Sequence, residues 1–160
     1  MGPPGPPGPP GSTIISQGPA ARVTDTNPAG QDILNNVTTT LTFDAERYDP
    51  DGMHDNTVNN SRLTAPVSGF YQISGAVLWE ADPNGFRNVN ISLNGTTLIA
   101  VETQNAVAAP GFGTAQTIST GYYLNAGDYV ELTVQQSAGG TIAVEKIDAT
   151  SPEFAMALVA

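Results

Sequence analysis

The chain has 160 residues, enough for one domain with a short appendage. Thirty residues are Gly or Pro (17 and 13), and ten of those fall in the first eleven positions, so a Gly-Pro stub precedes a more ordinary remainder. A net charge of −10 with a single lysine, Lys146, argues against a nucleic-acid partner; no cysteine means no disulfide or thiolate site; no apolar run is long enough to span a membrane as a helix.

Charged residues are 12% of the chain, about half the usual share. The hydrophobic share of 39% is enough to bury a core. Met1 is followed directly by Gly and Pro, without the charged and apolar regions of an export signal.

Gly2, Gly5, Gly8 and Gly11 recur at every third position with Pro at each site between. This is the collagen pattern: Pro pre-sets the polyproline II backbone, and only Gly fits the crowded axis of three chains. Such a rod is roughly 30 Å long at about 3 Å per residue, too short to associate unaided. It needs a device that brings three chains together in register. The competing reading is a Pro-rich linker or an added tag.

From Ser12 onward Thr, Val and Ile are common, and turn signals recur from Asn27-Pro28 to Gly139-Gly140. That rhythm predicts an all-β sandwich or barrel. After a possible strand at Ile14 and Ile15, strands are expected over Thr38–Asp44, Ser61–Ala65, Gly69–Glu80, Arg87–Leu93, Thr96–Thr103, Thr114–Leu124, Asp128–Gln135, Thr141–Ile147 and Glu153–Ala160. The count is about ten. Asn94-Gly95 is the strongest hairpin signal.

Two of these strands are apolar on both faces. In Gly69–Glu80 one parity carries Tyr71, Ile73, Val77 and Trp79; the other carries Phe70, Gln72, Ser74, Ala76 and Leu78. In the last strand Phe154, Met156 and Leu158 alternate with Ala155, Ala157 and Val159. A half-solvated strand is polar on one side. The second face therefore needs a cover, either from within the chain or, as the favoured expectation, from a neighbouring subunit.

Several stretches carry a family likeness: Leu41-Thr42-Phe43-Asp44, Tyr48-Asp49, Met53-His54-Asp55, the run Arg62 to Ile73, Val89 to Gly95, Leu124 to Leu132, and Phe154 to Leu158. In this order and behind a collagen pattern, the chain resembles the globular head of the C1q and tumour necrosis factor superfamily, of the bacterial or phage type. The likeness covers residues 38–160; residues 12–37 match poorly, and Thr141–Ser151 is unlike the animal heads. The resemblance implies a ten-stranded jelly-roll sandwich that forms a tight homotrimer. It divides the chain into a collagen-like segment (1–11), an N-terminal strand and linker (12–37) and the head (38–160). It implies a protomer core of Phe43, Tyr71, Ile73, Val77, Val130, Leu132, Phe154, Met156 and Leu158. Phe70, Gln72, Ser74, Ala155, Ala157 and Val159 would meet the neighbouring subunits. An extracellular, virion or cell-surface setting follows, with no membrane insertion.

Other residue groups also suggest sites. Asp49, Asp51 and Asp55 around His54 offer oxygen ligands of the kind calcium takes, and some family members bind calcium. The spacing departs from an EF-hand, and acidic turns are ordinary in solvated loops. No cofactor is therefore assigned. His54, the one histidine, would act as a pH switch only near a threefold axis. The triplets at Asn36, Asn59, Asn90 and Asn94 arise readily by chance in a Thr- and Asn-rich chain. No nucleophile elbow or phosphate loop accompanies His54, and no catalytic residue is assigned. The sequence thus points to a trimerising head for collagen-like chains. The alternative is a glycan- or protein-receptor-binding head, with loops Asp82–Arg87 and Asn105–Thr114 as its contact sites.

Overall fold

The computed structural model describes residues 18–109 and 111–159. The Gly-Pro-Pro segment and the strand expected at Ile14 and Ile15 lie outside the described residues. The described chain is all-β. Its strands are β1 (Ala20–Thr24), β2 (Gln31–Ile33), β3 (Thr39–Thr40), β4 (Ala45–Tyr48), β5 (Arg62–Thr64) and β6 (Gly69–Trp79). They continue with β7 (Phe86–Leu93), β8 (Thr97–Asn105), β9 (Thr114–Leu124), β10 (Tyr129–Gln136), β11 (Ile142–Val144) and β12 (Glu153–Leu158).

The strands form two antiparallel sheets. In the first, β6 is central: β9 pairs along one edge, and β12 along the other, followed by β1 and then β4. Beyond the end of β12, β11 meets β6 at Val144 opposite Trp79 and pairs in turn with β2. In the second sheet β10 lies between β7 and the short strands β3 and β5, and β8 forms the outer edge.

One apolar core fills the space between the sheets. Tyr71, Ile73 and Trp79 of β6, Val89 and Ile91 of β7, Val130, Leu132 and Val134 of β10, and Phe154 of β12 are fully enclosed. Each side chain of this size contributes roughly 1.5–3 kcal/mol by leaving water. Phe43 stacks on Phe154 at 5.9 Å between centroids. Trp79 carries a polar edge inward, and its Nε1 donates to Gln116 Oε1 at 2.7 Å, so the indole is satisfied where it is buried. The inward parity of β6 is interrupted at Gly75. A Cβ there would stand 2.6 Å from Leu132 Cδ1, so the missing side chain is the space that Leu132 of the other sheet occupies.

Three expectations about strands need correction. Thr38–Asp44 is not one strand: only Thr39–Thr40 pairs with β10. Past Thr40 the backbone leaves the ladder. Leu41 N still donates to Leu132 O, but Thr42 N turns to the Gln31 side chain and Phe43 N to Asn60 O. Leu41 and Phe43 are buried all the same, which is why their alternation resembled a strand. Thr141–Ile147 pairs only over Ile142–Val144, after which Ser151 and the turn at 147–151 take over the hydrogen bonds. The strands β1, β2 and β4 were not expected, so the described residues hold twelve strands and not about ten; in β4, Ala-Glu-Arg-Tyr shows no alternation because it is a sheet edge with three exposed residues. The Asn94-Gly95 turn joins β7 and β8 with φ of 51° and 70°, the left-handed pair that a tight hairpin requires.

Candidate assembly surface

The outer face of the first sheet is built by the parities that do not enter the core. Ladder register sets its rows. Phe70 stands opposite Tyr123; Gln72 lies between Gly121 and Ala157; Ser74 lies between Ser119 and Ala155; Ala76 lies between Thr117 and Glu153. Ala20 and Arg22 of β1 extend the rows beside Ala157 and Ala155. The result is a nearly uncharged carpet of Ala, Ser, Gly, Thr and Gln across four strands. Short side chains hold little rotamer entropy, so covering this face costs little ordering.

The residues named from the sequence sort as follows. Phe43, Tyr71, Ile73, Val77, Val130, Leu132, Phe154 and Met156 are in the core, and Leu158 is partly buried against it. Phe70 is 55% exposed and Val159 is 65% exposed. Gln72 is exposed, while Ser74, Ala155 and Ala157 are partly buried by their own neighbours on the outer face. Phe70 packs edge-on against Tyr123 at 5.2 Å, so an aromatic pair marks one end of the carpet.

Tyr123 and the rest of the outward parity of β9 (Ala115, Thr117, Ser119, Gly121) were missed. The same small-residue alternation was present in the sequence there. Also missed was the one carboxylate of this face. Glu153 is 4% exposed, yet it points outward. Arg22 Nε donates to its Oε2 at 2.7 Å, and Arg47 donates to its Oε1 from Nε at 3.0 Å and Nη2 at 2.8 Å. A carboxylate so buried would be costly alone; two guanidinium groups offset the loss of water. Beside the cluster a hollow of about 440 Å³ opens onto the face, lined by Arg22, Tyr48, Ser74, Ser119 and Glu153.

The acidic loop is committed to its own backbone. Asp49 accepts from Met53 N at 2.8 Å and His54 N at 2.9 Å. Asp55 accepts from Thr57 N, Thr57 Oγ1 and Val58 N. Asp51 is exposed on a different wall, beside Tyr48 and Pro50. Among the described residues no group of three or more His, Cys, Asp or Glu side chains is placed to hold a metal. The His54 side chain is fully enclosed; Nδ1 lies 3.1 Å from Glu46 Oε1 and Nε2 lies 3.1 Å from Asn60 O, tying the loop to β4 and to the approach of β5.

Two carboxylates in turns are held below the ordinary carboxylate range. Asp55 is lowered by the Val58 and Thr57 amides, and Asp128 by the Asn94 side chain and the Asn125 amide. A lowered folded value means that stability is full above the ordinary value of about 4 and is lost as pH falls through the folded one. Asp128→Asn is therefore expected to lower the melting temperature at pH 7, with the difference shrinking as pH falls through the lowered folded value. A difference that persists at low pH would count against the Asn94–Asp128 contact as its source.

The loops Asp82–Arg87 and Asn105–Thr114 meet at one end of the molecule, where Ala106 N donates to Gly85 O at 2.9 Å. Arg87 organises the first of them from inside. Its fully enclosed guanidinium donates to the carbonyls of Asp82, Asn84 and Phe86, and burial lowers its pKa. Phe112 is exposed on the second loop.

No protein-family model matches this chain, and no curated protein matches it. The functional reading therefore rests on the geometry of these two surfaces and on the sequence pattern that precedes them.

Proposed function

We propose that the domain is a trimerising head that aligns three collagen-like chains. The observation that carries this is the nearly uncharged, small-residue outer face of the first sheet, on a chain whose first eleven residues follow the Gly-Pro-Pro period. Burying that face between subunits would tether three chain starts together. The effective concentration of the Gly-Pro-Pro segments would then make triple-helix nucleation an intramolecular event. The strand order supports the family reading. Leaving aside β2 and β11, ten strands remain. With β3 and β4 also set aside and the remaining eight numbered in chain order, the first sheet runs first-eighth-third-sixth (β1, β12, β6, β9). The second runs second-seventh-fourth-fifth (β5, β10, β7, β8), an order that agrees with jelly-roll winding. A surface or fibre protein of a bacterium or phage fits this design.

Sedimentation or native mass measurement tests the proposal. Three 16.5 kDa chains are expected at about 49.5 kDa. A single-chain mass at micromolar concentration would sink it.

A second reading is favoured by the loop pair at Gly85 and Ala106, which Arg87 fixes in shape and on which Phe112 stands exposed. Such a rigid, protruding end suits recognition of a glycan or protein receptor. A glycan-array and cell-binding screen with the whole protein separates the two roles: uniform absence of binding leaves assembly alone.

A further inference from the structure

One ladder row crosses five strands of the first sheet. Register places Tyr48 of β4 beside Arg22 of β1, Arg22 beside Ala155 of β12, Ala155 beside Ser74 of β6, and Ser74 beside Ser119 of β9. In the next row Glu153 stands opposite Ala76, and Ala76 opposite Thr117. All of these line the hollow of about 440 Å³. The methyl groups of Ala155 and Ala76 are shorter than their neighbours, so the surface dips between an arginine wall and a hydroxyl wall. Arg22 and Ser74 are two ladders apart, about 10 Å. A hollow of this volume takes a small molecule.

Its polar groups are uncommitted. Arg22 gives Nε to Glu153 and Nη2 to the carbonyl of Ala149, and Nη1 has no acceptor among the described residues. The side-chain hydroxyls of Tyr48, Ser74, Thr117 and Ser119 make no hydrogen bond to a described residue. The serines that hold loops in place are bonded: Ser61 to Glu131, Ser68 to the Ala126 amide, Ser137 to the Phe86 amide, and Ser151 to the Leu78 amide and the Glu145 carbonyl. The hollow is also positive in an acidic chain. Glu153 is the one carboxylate among its lining residues, and Arg22 and Arg47 share it, so the three groups together carry one positive charge. Glu153 is nearly enclosed while the Arg22 side chain is 42% open, so an entering anion meets the guanidinium.

We infer that this hollow binds a sugar acid with a single negative charge, a uronate residue being the simplest. Its carboxylate lies on Arg22 Nη1 and neutralises the excess charge. Its ring hydroxyls exchange hydrogen bonds with Tyr48, Ser74, Thr117 and Ser119, each of which can donate and accept. A neutral sugar leaves the Arg22 donor unused. A dianion such as phosphate brings surplus negative charge beside Glu153 and does not span the hollow to the hydroxyls. The site is separate from the loop pair at Gly85 and Ala106.

Calorimetric titration of the whole protein with galacturonate, galactose and inorganic phosphate tests this. Galacturonate is expected to bind once per chain, roughly tenfold or more tighter than either of the others. Arg22→Gln should weaken galacturonate roughly tenfold or more and leave galactose unchanged. Arg47 still holds Glu153 in that variant through two hydrogen bonds, and circular dichroism checks the sheet. Tyr48→Phe and Ser119→Ala each remove one exposed hydroxyl without disturbing the core, and should weaken galacturonate roughly two- to tenfold. Trigalacturonate that binds at least as well as the monomer identifies a polysaccharide as the source, and its exclusion identifies a free sugar acid; both results keep the site. Galactose or phosphate binding as tightly as galacturonate, or an Arg22→Gln variant that binds like the wild type, overturns it. Sedimentation of the same samples keeps site and assembly apart. A trimer that binds no galacturonate overturns the site alone, and a monomer that binds it overturns the trimeric reading alone.

Discussion

Gln72→Glu is expected to leave the protomer folded and to take the assembly apart. Gln72 is exposed on the outer face, between Gly121 and Ala157, where the new carboxylate meets water in the single chain. The change adds no volume and touches nothing in the core. In the proposed trimer the same position would be covered, and no basic residue occupies its row. Leaving a buried charge unpaired costs about 3–5 kcal/mol. That is at least a hundredfold in the dissociation constant. Three equivalent interfaces each meet the penalty. Sedimentation at pH 7 should show single chains at concentrations where the wild type is trimeric, with an unaltered dichroism spectrum. A trimer as tight as the wild type would place the subunit contact on some other face.

The two-sided character of this sheet was legible because the chain writes it twice. In β6 and in β12 a full core parity alternates with a parity of small or weakly polar residues, and both appear in the structure at the expected bounds within two residues. The β9 strand matches its expected bounds outright. What the sequence could not carry is anything that depends on sheet closure. Arg22 and Glu153 are 131 positions apart, and only the β1–β12 ladder brings them together. The same holds for Gln31, whose side chain replaces a strand partner for Thr42 and so ends the run expected over Thr38–Asp44. Edge strands are the other blind spot: β4 has no buried face of its own to impose a period of two, so its residues look like a loop.

The cluster around Glu153 also explains why a strand so apolar tolerates one carboxylate. Glu153 opens β12 beside Ala76, at the end of the carpet, where Arg22 arrives from β1 and Arg47 from β4. Charge is placed at the boundary of the small-residue field and is absent from its middle. Association through the middle then desolvates no ion, and the boundary supplies direction.

Phe154→Ala is the complementary test, one residue along from Glu153 and on the opposite face of the same strand. Phe154 is fully enclosed and stacks on Phe43 across 5.9 Å. Its ladder partner is Gly75, so β6 has no side chain directly opposite to fill the void. Truncation of an enclosed Phe costs about 3–5 kcal/mol. For a domain of this size the melting temperature is expected to fall by roughly 10 °C or more. Dissociation of the folded molecules should respond far less than it does to Gln72→Glu, because the outward residues Ala155 and Ala157 are untouched. The two variants thus separate the faces of one sheet: one changes assembly at constant fold, the other changes fold stability. A small thermal shift for Phe154→Ala would mean that the core closes over the gap, and that β12 is held mainly by its outer face.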